Sequence, residues 1–109
     1  MADKDDLLSK VLDFADLVDY QDGSVVSRTL ISADTGTVTL FSFDKEQSLS
    51  EHTAPFDALV YIIEGQAQIN ISGQPYQLSQ GQIIIMPANK PHSLQATERF
   101  KMALVMIKS

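Results

Sequence analysis

Two histidines are the residues of this chain best suited to chemistry. His52 leads into the segment Ala-Pro-Phe-Asp at positions 54–57, and His92 follows a segment that prolines delimit at positions 87 and 91. Each histidine stands where a strand is predicted to begin, and the starts of strands can converge at the mouth of a closed sheet. Small-molecule sites are often built at such a mouth. An imidazole there can bind a metal or a polar group of a ligand, so we expect the two rings to face each other across a pocket.

Several other kinds of chemistry lack the residues they need. The sequence has no cysteine, which excludes a thiol nucleophile and thiolate metal ligands. It contains neither a glycine-rich phosphate loop nor a Gly-x-Ser-x-Gly segment. Phosphoryl transfer and serine-hydrolase chemistry therefore find no support.

Charge and hydropathy narrow the partners and the location. The chain has 14 acidic and 8 basic residues, a net charge of -6, and the basic residues do not cluster, so we expect no nucleic-acid partner. The longest apolar runs, 58–63 and 102–107, fall far short of the roughly 20 residues of a membrane span, so we expect no membrane partner. The first residues lack the basic and apolar stretches of a secretory signal. With the absence of cysteine, this predicts a cytoplasmic protein.

Most of the acidity lies in residues 1–22, which we call the leader. The leader carries seven aspartates and two lysines, a net charge of -5, so residues 23–109 carry only -1. Its apolar residues recur at spacings of three and four, which predicts a short amphipathic helix packed on the rest of the chain: Leu7, Leu8, Val11, Leu12, Ala15 and Val18. The aspartates would form its solvated face, to which we assign no function. Residues 23–109 are predicted to form one domain.

From residue 23 onward the sequence pattern is typical of an all-β barrel or sandwich. Short runs rich in Val, Ile, Thr and aromatic residues alternate with turn residues. The predicted strands are 25–32, 37–43, 58–64, 67–72, 74–78, 82–86, 92–96 and 99–107. Glu64-Gly65 and Ser72-Gly73 are predicted to form tight turns. The run 58–63 is apolar on both faces, so a second sheet or a second copy of the chain should cover its outer face, and we expect a homodimer.

Two segments resemble the paired motifs of the cupin superfamily. Residues 51–58 (Glu-His-Thr-Ala-Pro-Phe-Asp-Ala), followed by 61–66 (Tyr-Ile-Ile-Glu-Gly-Gln), look like the first motif. Gly81 and the segment 87–92 (Pro-Ala-Asn-Lys-Pro-His) look like the second. The resemblance covers residues 36–107. It implies a small antiparallel jelly-roll β-barrel, usually dimeric, with the site inside the barrel.

The metal ligands of this family carry over only in part. Metal-binding cupins generally use three histidines and one glutamate, and the resemblance places two of the histidines at His52 and His92. Ala54 stands where the family has another histidine, and Ala58 stands where it has the glutamate. Asp57 could complete a set of two histidines and one carboxylate only if its loop turned it inward, because a shift of one residue along a strand reverses the face. A divalent transition metal held by His52, His92 and Asp57 is therefore the less favoured occupant.

These observations lead to two main hypotheses. The first is a small-molecule-binding cupin of unassigned ligand, with two imidazoles as polar anchors in a pocket lined by Tyr61, Phe43, Met86, Met102 and Met106. The second is a metal-dependent oxygenase, isomerase or decarboxylase, in which a carboxylate or waters complete the coordination of His52 and His92. A metal-free acid-base enzyme and a purely structural oligomer are further alternatives.

Overall fold

The structure is a computed structural model that describes residues 7–108. Within these residues the chain forms eight strands: β1 (Val25–Ala33), β2 (Gly36–Phe43), β3 (Ser48–His52), β4 (Ala58–Ile71), β5 (Gln74–Ser79), β6 (Ile83–Met86), β7 (His92–Gln95) and β8 (Phe100–Ile107). Every strand pair is antiparallel. The predicted all-β fold is confirmed. No helix in the described part of the chain is long and apolar enough to cross a membrane.

The strands form one curled sheet that folds over itself as a half-barrel. The strand order is β1-β2-β8-β4-β7-β3, and β5 and β6 also pair with β4. The first half of β4 pairs with β6 and β8, and its second half pairs with β5 and β7. This long central strand therefore connects the two sides of the sheet that enclose the core.

A bend in β4 replaces a predicted turn. The prediction of a tight turn at Glu64-Gly65 is wrong, because segments 58–64 and 67–72 form one strand with a register shift between Ile62 and Glu64. Gly65 has φ +80°, and a Cβ there would collide with the carbonyl oxygen of Arg99. The glycine thus serves the close passage of β8 at the bend rather than a chain reversal. The turn at Ser72-Gly73 is present between β4 and β5.

Strand β3 was not among the predicted strands. Its sequence is Ser-Leu-Ser-Glu-His, and only Leu49 is partly buried. It lacks the β-branched and apolar content on which strand prediction depends. Its pairing with β7 forms it, and that pairing brings His52 into place.

The leader is not an α-helix in the described residues, so the helix prediction is wrong there; residues 1–6 lie outside them. It contains a 3-10 turn at Phe14–Asp16, Val18 is buried, and Val11 is fully exposed. Side chains of the sheet bind its carbonyl groups: Arg28 Nη1 donates to Leu17 O at 2.9 Å, Ser42 Oγ to Asp19 O at 2.7 Å, and Lys101 Nζ to Ala15 O at 2.6 Å. Carbonyls bound in this way are tied to the sheet rather than engaged in α-helical hydrogen bonds.

Alternation along the strands separates two apolar clusters. Residues facing the inside of the half-barrel form the main core, in which the rings of Phe43 and Phe100 stack at 4.4 Å. The outer cluster lies between the sheet and the leader and contains Val18, Leu40, Ile63 and Ala103. Since adjacent residues of a strand point to opposite faces, Met102 belongs to the main core and Ala103 to the outer cluster.

Candidate functional site

The two motif segments hold each other and bring the histidines together. The Asp57 carboxylate accepts a hydrogen bond from the Ala88 N–H at 2.8 Å, and the Asn89 N–H donates to Ala54 O at 2.7 Å. These bonds fix the loop that leads into β7. His92 then begins β7 opposite His52, the last residue of β3, as its antiparallel partner.

The two imidazoles meet through their Nε2 atoms. The Nε2–Nε2 distance is 3.1 Å, and the ring centroids lie 4.4 Å apart with the planes at 71°. His92 is buried, with 4% of its surface exposed, whereas His52 is exposed. The pair therefore joins the interior of the half-barrel to solvent.

Backbone carbonyls fix the direction in which each ring presents its lone pair. His52 Nδ1 lies 2.7 Å from Ser50 O, and His92 Nδ1 lies 3.3 Å from Lys90 O. A carbonyl oxygen only accepts, so each Nδ1 is the donor, and a ring in its neutral form then carries its lone pair on Nε2. The ring centroids are only 4.4 Å apart, so the two Nε2 lone pairs do not point straight at each other. The pair therefore presents Nε2 as an acceptor to a donor or a cation.

The surroundings of His92 favour its neutral form. Burial lowers the pKa of His92, the nearby His52 ring lowers it further, and the hydrogen bond to the Lys90 carbonyl opposes both effects. A lowered pKa keeps a lone pair on His92 at neutral pH. The buried ring is therefore available as an acceptor.

An apolar cavity of about 180 Å³ lies beside the pair. It is lined by Phe41, Leu49, His52, Ala54, Ala58, Met86, His92, Leu94, Met102, Leu104 and Met106. The two imidazoles are the polar side chains of this lining. A cavity of about 150 Å³ with an apolar lining can hold a benzene molecule, so this one accommodates a compact ring with a small substituent.

The structure brings together most of the residues predicted to form the pocket. His52, His92, Met86, Met102 and Met106 line the cavity. Tyr61 and Phe43 do not. The side chain of Tyr61 belongs to the outer cluster, with its ring 6.2 Å from that of Phe14, and Phe43 lies deeper in the main core against Phe100.

Sequence reasoning missed part of the lining. Leu94 stands two residues after His92 and Phe41 two residues before Phe43, so the period of two along a strand could have indicated both. Leu49 lies in the strand that was not predicted. Leu104 lies between two predicted lining residues, Met102 and Met106, on the same face of β8.

The comparison with known families agrees with this architecture. Residues 39–108, well over half of the chain, match the model of the cupin domain. The chain belongs to the cupin superfamily. No match is found among curated proteins.

Several solved structures of cupins and of a conserved protein are similar to the structure of this chain. A conserved protein of unknown function from Streptococcus pyogenes is 42% identical, with a TM-score of 0.89 over 93% of this chain and 89% of that one. A cupin superfamily protein from Desulfitobacterium hafniense DCB-2 is 30% identical, with a TM-score of 0.88 over 93% of each chain. An RmlC-like cupin from Desulfovibrio desulfuricans is 18% identical, with a TM-score of 0.79 over 91% of this chain and 96% of that one, and shows the fold alone.

The residues of the site do not fit the full cupin metal set. Ala54 and Ala58 line the cavity beside the histidines, so the positions of the family's other two ligands face the right way but carry methyl groups. Asp57 is exposed and bonded to the Ala88 N–H, and the structure does not bring it to the pair. No group of three His, Cys, Asp or Glu residues that could hold a metal occurs within residues 7–108.

Proposed function

We propose that this cupin binds a small apolar molecule that carries one hydroxyl group, with the hydroxyl donating to an Nε2 atom of the histidine pair. One observation carries the proposal: Ala54, Ala58, His52 and His92 line the same cavity. The two alanines leave apolar space at positions where the family has metal ligands. The two histidines remain as its polar anchor.

The size and chemistry of the cavity define the ligand class. A volume of about 180 Å³ suits a single six-membered ring or a branched aliphatic group of similar size. Three methionines in the lining adapt their shape to such a ligand. A hydroxyl is the matching polar group, because the pair presents lone pairs and lacks only a donor.

Calorimetric titration with phenol and benzene tests this proposal. Phenol and benzene should each bind at one site per chain. Phenol should bind about fivefold more tightly than benzene, since one hydrogen bond contributes about 1 kcal/mol net. Replacing both histidines (His52→Phe with His92→Phe) should bring phenol to the affinity of benzene. Tyr61→Phe is the matched control, because Tyr61 lies outside the cavity, and it should leave both affinities unchanged.

Three results would overturn the proposal. If neither phenol nor benzene binds to the folded wild-type protein, the cavity does not accept such ligands. Equal affinities for phenol and benzene in the wild type would remove the role of the pair. A preference for phenol that survives in the doubly substituted variant would place the acceptor elsewhere.

The second candidate is a metal-dependent cupin enzyme, an oxygenase, isomerase or decarboxylase. The observation that favours it is the 3.1 Å Nε2–Nε2 distance, which lets both atoms reach one ion as neighbouring ligands. Waters would have to complete the coordination, since Asp57 is engaged elsewhere. Metal analysis of protein purified without chelator tests it. Stoichiometric iron, manganese, nickel or zinc that is lost in His52→Ala would favour the enzyme over the small-molecule-binding cupin.

We also propose that the chain forms a homodimer through the outer face of the sheet. Cross-strand register aligns one apolar residue from each of five strands: Ile31, Val38, Val105, Leu59 and Ile85. Ile31 and Ile85, at the two ends of this row, are 62% and 56% exposed. The row carries no charge, so two copies of an acidic chain can meet there without opposing like charges. Analytical ultracentrifugation should show a dimer that Ile85→Lys dissociates; a monomeric wild type contradicts the proposal.

A further inference from the structure

The exposed large apolar side chains of this protein gather on the leader and on the outer face of the sheet. They are Leu8, Val11, Leu12 and Phe14 in the leader and Ile31, Ile83, Ile85 and Ile107 in the sheet. Among the exposed large apolar residues of the described part of the chain, Tyr76 alone lies elsewhere, on β5. A concentration of exposed apolar surface on one side of a molecule marks an interaction site.

A pocket of about 230 Å³, which we call the leucine pocket, lies between the leader and β1. Leu8 and Leu12 line it from the leader, and Leu30 and Ile31 line it from β1. Five leucines, Ile31 and Ser9 make up the lining, so none of the lining side chains is charged. Ile31 also belongs to the row through which we propose that the homodimer forms, and the leucine pocket therefore adjoins that interface.

Val11 is the residue best placed to fill the leucine pocket of a second copy. Its side chain is fully exposed, so it fills no pocket in its own chain. Its neighbour Leu12 lines the leucine pocket, which places the exposed valine and the pocket side by side on one surface. A two-fold axis beside them brings both Val11 side chains to both pockets at once, as an interface between identical surfaces requires.

The part of the leader around Val11 has no net charge. Residues 7–14 contain one lysine, Lys10, and one aspartate, Asp13, whereas the other six aspartates of the leader lie outside this segment. Two copies can therefore approach here without opposing net charge. Lys10 and Asp13 flank Val11 on either side, so each copy offers one positive and one negative group to the other.

We propose that the leaders of two copies pack against each other, with Val11 of each copy inserted into the leucine pocket of the other. The inference rests on the proposed homodimer and adds the leader to its interface. The row from Ile31 to Ile85 and the leader then form one continuous apolar contact. Burial in this contact removes the exposed apolar side chains of the leader from water.

Analytical ultracentrifugation of three variants tests the contact. Val11→Asp should raise the dissociation constant of the dimer about a hundredfold or more, and Val11→Ala about tenfold, since each dimer loses the burial of two apolar side chains. Tyr76→Asp, a matched change of an exposed apolar residue on β5, should leave the dissociation constant unchanged. Because Val11 is exposed in the single chain, circular dichroism should show an unchanged fold in both Val11 variants.

Disulfide crosslinking tests where Val11 lies in the dimer. The sequence contains no cysteine, so Val11→Cys and Leu30→Cys each introduce a single thiol. A mixture of these two variants should form a disulfide between the two different chains on air oxidation, which mass spectrometry identifies. A mixture of Val11→Cys with Tyr76→Cys should not.

The results separate failure of this inference from failure of the proposed homodimer. A monomeric wild type contradicts both. A dimer that Ile85→Lys dissociates but Val11→Asp does not would keep the row, overturn the leader contact and leave the leucine pocket to another occupant. Dissociation by Val11→Asp but not by Ile85→Lys would support the leader contact and overturn the row. Absence of the crosslink between Val11→Cys and Leu30→Cys in a stable dimer would also overturn the leader contact.

Discussion

Filling the cavity should stabilise this cupin and abolish ligand binding together. Ala58 is 3% exposed, lies on β4 and faces the cavity, so Ala58→Leu places three additional carbon groups in apolar space. At about 0.8 kcal/mol for each buried methylene, the gain is about 2 kcal/mol. At 24 cal/mol per Å³, an unfilled cavity of 180 Å³ lowers the free energy of unfolding by about 4 kcal/mol. A gain of about 2 kcal/mol from partly filling it is therefore within this limit.

Thermal denaturation and calorimetry measure the two effects on one variant. A gain of about 2 kcal/mol raises the midpoint Tm of a chain of this size by roughly 8 °C. Phenol binding should disappear, because the leucine occupies the ligand's place. Ala58→Val, with a β-branched side chain suited to a strand, should give smaller changes in the same directions.

Ala103→Leu is the matched control for this substitution. Ala103 is also 3% exposed, but it lies in the outer cluster on the other face of the sheet. Overpacking there should lower the free energy of unfolding by about 1–3 kcal/mol and leave phenol binding intact. The reasoning is refuted if Ala58→Leu is destabilised as much as Ala103→Leu, or if it still binds phenol.

Three further predictions concern the histidine pair and the turns. Because the pKa of His92 is lowered in the folded protein, this histidine takes up a proton more readily in the unfolded chain. The free energy of unfolding should therefore fall as the pH drops below about 6.5. Urea titrations should show a smaller fall in His92→Gln. The Gly23 N–H and Arg99 hold the pKa of Asp44 at about 2, and NMR titration should find this pKa higher in Arg99→Gln. In urea denaturation, Gly65→Ala should lower the free energy of unfolding by about 2 kcal/mol or more. Gly73→Ala should lower it less, because Gly73 has the same φ of +80° but no atom near its Cβ position. Equal losses would show that the contact with Arg99 is unimportant.

The sequence identified the strands that carry strong apolar patterns and failed where tertiary contacts decide. Strands β2, β4 and β8 follow from their β-branched and aromatic residues, and they position most of the cavity. The polar strand β3 depends on its pairing with β7, so no local pattern could predict it. The leader has helical periodicity, but the side chains of Arg28, Ser42 and Lys101 bind its carbonyl groups and hold it in another conformation.

The two histidines of the candidate site could be predicted from the sequence, whereas the residues that line the cavity could be predicted only in part. Both histidines were predicted to begin strands: His92 does begin β7, whereas His52 is the last residue of β3, and the two lie opposite each other in the structure. Tyr61 was placed in the pocket because it is aromatic and near the motif, but its position on β4, three residues from Ala58, turns it to the other face. The 3.1 Å contact between the two rings depends on both loops at once, and no spacing along the chain encodes it.

A crystal structure of the protein with bound phenol tests the central claim most directly. The proposed function predicts the ring between Ala54, Ala58 and the three methionines, with its oxygen about 2.7–3.0 Å from Nε2 of His52 or His92. A phenol bound outside this cavity, or one whose oxygen contacts neither imidazole, would contradict the claim that the histidine pair is the polar anchor of a small-molecule site.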